Sequence, residues 1–149
     1  MKRIAALTLA LGLGFSGGVL AASAQQPLEK ASAAQAKVVY HINDSEGQAL
    51  AALRNMRNQL DTDPKAKIVA VAHADGIEFM ETDYKDADKV GPLISGLAAR
   101  GVEFDVCEIT MKRKKLEADD FVMEAQFVPS GVVRITSLQN EEGYAYIKP

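Results

Sequence analysis

From residue 37 onward the chain alternates short apolar runs with longer stretches whose apolar residues recur every three or four positions. Residues 37–42 (KVVYHI) are β-branched and aromatic, and the turn formers Asn43, Asp44 and Ser45 bound them. Such a run reads as a strand. Ala49, Leu53, Met56 and Leu60 then fall on one helical stripe over residues 45–60, with Asp44 or Ser45 as N-cap. Asp63-Pro64 breaks that pattern. Residues 67–73 (KIVAVAH) are almost continuously apolar, as in a strand covered on both faces.

Val90, Leu93, Ile94, Leu97 and Ala98 predict a second helix over 86–100, stopped by Gly101, with Gly91-Pro92 set to delay its true start. Residues 102–106 give a third strand. Thr110 is placed to cap a short helix through Leu116, and 127–129 form a short extended piece. Ser130 caps a helix carrying Val133, Ile135 (or Val132) and Leu138, which ends near Gly143. Residues 144–147 make a last strand, with Pro149 at its margin. Alternating strands and helices, with the strands buried, imply right-handed crossovers and a mainly parallel sheet with helices on both faces. The fold class is therefore α/β. It is a single-domain, flavodoxin-like, three-layer fold of about five strands, with the first strand expected at the centre.

The first residues bear on location rather than fold. Lys2 and Arg3 precede an apolar, acid-free stretch over 4–20, and Ala22-Ser23-Ala24 has the small-x-small form of a signal-peptidase site. Glycines at 12, 14, 17 and 18 disfavour a permanent membrane helix, and no later stretch reaches the roughly 20 apolar residues a span needs. The sequence thus predicts a signal peptide over 1–24, a periplasmic mature chain starting at Gln25, and no stable membrane anchor. Residues 25–36 contain one large apolar residue, Leu28, and read as a flexible linker to a domain at 37–149. Cleavage takes the formal charge from −3 to −5. An acidic total argues against nucleic acid, whose binding rests on phosphate neutralisation. No phosphate loop or dinucleotide fingerprint is present, and no cofactor is expected.

Candidate chemistry gathers at one end of the sheet. In an open α/β sheet, reactive groups collect beyond the carboxyl ends of the strands. The pattern puts His41 and Asn43 there after the first strand, His73 after the second, and Cys107, the only cysteine, after the third. Exported proteins normally pair their cysteines. One alone is either a small buried hydrophobe or a thiol kept for chemistry or intermolecular pairing. A helix start just beyond Cys107, a nearby imidazolium, or the basic run Lys112-Arg113-Lys114-Lys115 would each lower its pKa.

His41 and His73 are candidates for tuning that thiolate or, equally, for capping strand ends. Together with Cys107 they have suitable ligand types for a metal, but no short spacing motif joins them, and no metal site is assigned. Asn43, Lys112 and Arg113 are candidates for docking an anion or an acidic partner. Ser130 lacks the glycines of a nucleophile elbow. The apolar edge-type strand over 144–147, with Phe121, Val122, Met123 and Phe127 in an otherwise irregular stretch, predicts a homo-oligomer, most simply a two-fold dimer, with its interface over 116–128.

Several segments taken together resemble the exported branch of the DsrE/DsrF-like sulfur-relay family. They are Val39-Tyr40-His41-Ile42-Asn43, Gly101-Val102-x-Phe104-x-Val106-Cys107 with Thr110, Val128-Pro129-Ser130-Gly131-Val132, and Leu138-Gln139 leading to EGYAYIKP over 142–149. The resemblance spans nearly the whole mature chain. It implies a flavodoxin-like fold and a dimer, trimer or hexamer. It also implies that Cys107 holds sulfane sulfur as a persulfide and passes it to a partner's thiol. The partners would be sulfur donor and acceptor proteins or small anionic sulfur compounds. The alternative is a non-catalytic oligomeric binding module of the same fold, in which Cys107 only packs.

Overall fold

The computed structural model describes residues 35–149. The predicted signal peptide and residues 25–34 of the predicted linker lie outside the described residues.

Five strands, β1 (Lys37–Asp44), β2 (Lys67–Asp75), β3 (Glu103–Cys107), β4 (Ala125–Val128) and β5 (Ala145–Ile147), form one sheet in the order β4-β3-β2-β1-β5. Every pairing is parallel. Between them run α1 (Leu50–Thr62), α2 (Ala87–Ala98), α3 (Glu108–Lys114) and α4 (Gly131–Asn140). The chain steps in one direction from β1 to β4, then returns to the far side of β1. With right-handed crossovers, that reversal moves the connecting helix to the opposite face. Leu53 and Met56 of α1, Ile94 and Leu97 of α2 and Met111 of α3 accordingly pack with Tyr40, Ile42, Ala70 and Phe104 in one core. Ile135 and Leu138 of α4 pack on Val39, Val69 and Val71 in a second, smaller one. The α/β class, the parallel sheet and helices on both faces are as expected.

Several boundaries differ for local reasons. β2 takes the middle of the sheet, and β1 sits one place out, flanked by β2 and β5. Asp44 is the cap of the first helical segment, accepting from the Gly47 N–H, and a π-helical turn over Ser45–Ala49 precedes α1. Pro92 does not delay α2. It lies inside the helix on the solvent side, with exposed Asp88 one turn back, where water can serve the carbonyl that proline's missing N–H leaves free. Ser130 does cap α4, accepting from Val133 N–H at 3.4 Å. Val132 and Val133 are exposed, however, and the buried stripe is Gly131, Ile135 and Leu138.

The apolar residues expected to need an interface over 116–128 find cover within the chain. Phe121 is buried, meets Phe127 edge-on at 5.7 Å between centroids, and pairs with Glu81 in an antiparallel bridge. Val122 and Phe127 pack against the larger core, so Met123 is the one residue of that set left exposed. No helix among the described residues is long and apolar enough to cross a membrane.

Candidate functional site

Side chains along a strand alternate between faces. Val39 and His41 of β1, Val71 and His73 of β2, and Asp105 and Cys107 of β3 therefore share the face that α4 covers, with the last residue of each pair at the carboxyl end. The β1–β2 register slips between Ile42 and Asp44, so β2 carries an extra residue around His73 and Ala74. Ala74 takes a φ of 51°, a left-handed conformation that costs a residue with a Cβ about 1–2 kcal/mol. A bulge of this kind re-aims a side chain, and His73 is the side chain at this one.

The first turn of α4 comes down directly over the thiol. A Cβ at Gly131 would lie 3.4 Å from the Cys107 Cβ and 3.2 Å from the His73 Cβ. Only glycine permits that approach without displacing a neighbour. Arg134, one turn further along α4, ties the helix to β3 by donating to the buried Asp105 carboxylate at 2.9 Å, and it also reaches Glu142 at 3.0 Å.

Cys107 is 5% exposed. Burial pushes its pKa up, but hydrogen bonds from the Gly131 N–H, the Thr110 hydroxyl and the Thr110 and Ile109 N–H groups outweigh it. The thiol is held below its ordinary value, because each of these donors favours the anion. Cys107 itself occupies the cap position of α3, so Thr110 is inside that helix rather than at its start. The Thr110 hydroxyl accepts from the Ala74 N–H at 3.1 Å while serving the sulfur, which ties the strained end of β2 to the thiol.

The histidines pair with each other. His41 Nε2 and His73 Nε2 are 2.6 Å apart, and His41 Nδ1 is 2.6 Å from the Tyr146 hydroxyl. Burial, then Lys148, then His73 push the His41 pKa down to about 4. Burial, Lys148 and Arg113 lower that of His73. Both rings are therefore neutral near pH 7. The groups that hold the thiol down are amides and a hydroxyl rather than an imidazolium.

The remaining sequence candidates separate. Asn43 lies at the end of β1, where its carbonyl oxygen accepts from Lys148 Nζ and from Gln48 Nε2, the latter at 3.1 Å. It thereby clasps the segment after β5 to β1. Arg113 is near enough to act on His73. Lys112 points to solvent with Glu108 3.8 Å away, and Lys114 bridges Asp75 and Glu78 at 2.9 and 2.7 Å. The basic run thus divides three ways. The sequence assigns no role at this site to Gly131, Tyr146 or Lys148, and reads Tyr146 only as part of an apolar edge strand. Their signal was present only as the segments 128–132 and 142–149, whose contacts depend on α4 and β5 returning over β1 to β3.

A comparison with curated proteins found no match. Among solved structures, the chain is similar to a protein of unknown function from Methanobacterium thermoautotrophicum, with 30% identity and a TM-score of 0.70. That likeness covers 77% of this chain and all of the other. The sequence model of the DsrE/DsrF-like family matches residues 20–149, which takes in every described element and the whole of the site around Cys107, and the chain belongs to that family.

Proposed function

We propose that the protein is a periplasmic sulfur carrier that takes sulfane sulfur onto Cys107 and yields it to a partner's thiol. Family membership points to sulfur relay in general. The observation that carries the reading to Cys107 is its place at the carboxyl end of β3, at the start of α3 and directly under the first turn of α4, where the amides of both helix starts favour the thiolate. The thiolate attacks the outer sulfur of a donor R–S–SH, the donor's S–S bond breaks, and R–S⁻ leaves and takes up a proton. Cys107–S–SH remains, and a second thiol collects the sulfur by the same exchange. A buried persulfide passes its sulfur only to a partner that docks over it. Ile109, Val132 and Val133 are 57%, 59% and 66% exposed in the first turns of α3 and α4, the turns whose N–H groups meet the sulfur. They supply an apolar collar for a donor, an acceptor or a second copy of the chain. The predicted signal peptide supports export.

The near-complete burial of Cys107 favours the rival reading, a binding module in which the thiol only packs. Intact-protein mass spectrometry after incubation with a sulfane donor separates the two. The carrier gains one sulfur, and its Cys107→Ser variant gains none. Equal labelling of both would rule the site out. Self-association through the collar is tested by sedimentation of the Cys107→Ser protein, where a clean monomer at tens of micromolar would remove it.

A further inference from the structure

Three polar groups stand in single file on the α4 face of the sheet, and the mechanism above leaves them unused. Tyr146, 41% exposed, meets His41 Nδ1 through its hydroxyl, and His41 Nε2 meets His73 Nε2, each at 2.6 Å. At that separation one proton lies between the two imidazoles, so their tautomers are coupled. If His73 Nε2 donates, His41 Nε2 accepts and His41 Nδ1–H donates to the tyrosine oxygen. If His41 Nε2 donates, the tyrosine hydroxyl donates to His41 Nδ1, and His73 Nδ1 carries the proton at the far end. Nδ1 is the ring nitrogen at the Cβ end of the imidazole. The His73 Cβ is the atom that flanks Gly131 together with the Cys107 Cβ.

We propose that Tyr146, His41 and His73 form a proton file between the covered Cys107 pocket and solvent. It carries the thiol proton out before attack and returns a proton to the departing thiolate. The inference rests on the sulfur-carrier reading. In the outward step the Cys107 S–H proton passes to His73 Nδ1, and the His73 Nε2 proton passes to His41 Nε2. The His41 Nδ1 proton passes to the tyrosine oxygen, whose own proton goes to water. The number of protons on the file is unchanged, and one has moved from sulfur to solvent. The return step runs each transfer backwards and ends on the leaving R–S⁻. The need for such a file follows from the site's geometry, since α4 closes over a thiol that is 5% exposed and water reaches it poorly. Rings kept neutral by burial and by the charge of Lys148 suit shuttling, because neither end of the file traps the proton.

The test compares the full mature chain with its Tyr146→Phe and His41→Gln variants, using a low-molecular-weight alkyl persulfide as probe. Sulfur uptake by native protein should show a proton inventory in mixed H2O and D2O that curves, the sign of several protons in flight. Tyr146→Phe should keep the thiol pKa, slow uptake by about tenfold or more, and give a straight inventory. His41→Gln should do the same. Uptake at the native rate in both variants would overturn the file. A second readout needs no sulfur. The ¹⁵N signals of His73, which does not touch Tyr146, should shift toward one tautomer in Tyr146→Phe, and unchanged signals would count against coupling. If native Cys107 accepts no sulfur, the carrier reading fails by that result alone, and the His73 signals still decide the file.

Discussion

The two faces of the sheet are built to different ends. Under α1, α2 and α3 the packing is mostly apolar, with Leu53, Met56, Ile94, Phe79 and Phe104 all essentially excluded from water. Under α4 the apolar cluster shrinks to a few side chains around Val39, Val71 and Leu138. The rest of that face is polar: the Arg134–Asp105 pair, the donors around Cys107, and the file from His73 to Tyr146. A single helix, held by one buried ion pair and admitted by one glycine, covers this chemistry. The thick face holds the fold. The thin face can carry strain at Ala74 and two uncharged histidines because the other side supplies most of the stability.

That division is broken most directly from the thick side. Leu53→Ala removes a fully buried side chain from the larger core and should cost about 3 kcal/mol. Urea denaturation would measure it, and a loss under about 1 kcal/mol would mean the core is not where stability resides. Acid tests the thin side. His41 has a folded pKa of about 4 against 6.5 unfolded, so between those values the unfolded chain binds the extra proton. The contribution is fully present above pH 6.5 and is lost as pH falls toward 4. With solvent screening allowed for, the loss should be about 2 kcal/mol, smaller in His41→Gln. Equal acid sensitivity in both proteins would place the lability elsewhere.

Gly131→Ala sharpens the comparison, because it should separate chemistry from stability. The added Cβ meets His73 at 3.2 Å and Cys107 at 3.4 Å, so the first turn of α4 must lift by a few tenths of an ångström. The strain, of order 1 kcal/mol, is offset by the better helix propensity of alanine. The urea midpoint should hardly move. The Gly131 N–H is drawn away from the thiol, however, and the thiol pKa should rise by about one unit, read from the rate of alkylation against pH. An unchanged profile would show that the Gly131 N–H does not hold the thiolate.

How far this was legible in the sequence follows from what each signal depends on. Periodicity marked the strands and helices because burial on one or both faces leaves a direct trace in residue order. The same alternation put His41, His73 and Cys107 at one sheet end, and they do share a face. What escaped depends on contacts between distant segments. Tyr146 meets His41 across 105 positions, through a strand that returns to the opposite side of β1. The bulge at His73 and Ala74 carries no glycine to announce it. Thr110 looked like a helix cap because it follows a strand at cap spacing, yet α3 starts at once after Cys107 and turns the hydroxyl onto the sulfur. Phe121 looked homeless only because its cover, Phe127 and the bridge to Glu81, is not periodic.

The smallest expected effect concerns the residues that drew most attention in the sequence. An imidazole lowers a neighbouring thiol's pKa when it is charged, and burial and nearby cations push both rings here toward the neutral form, His41 down to about 4. The donors that act on Cys107 are the amides of Gly131, Thr110 and Ile109 and the Thr110 hydroxyl, none of which a histidine substitution removes. His73→Ala should therefore shift the thiol pKa by less than about half a unit, well inside the range over which local charge tunes cysteines. Thr110→Val, which deletes a donor to the sulfur, should shift it further. The two profiles of alkylation rate against pH, measured side by side, decide the matter. A rise of a unit or more in His73→Ala would mean that the ring itself acts on the sulfur, as a charged group or as a donor, and would return the histidine to the role of tuning the thiolate.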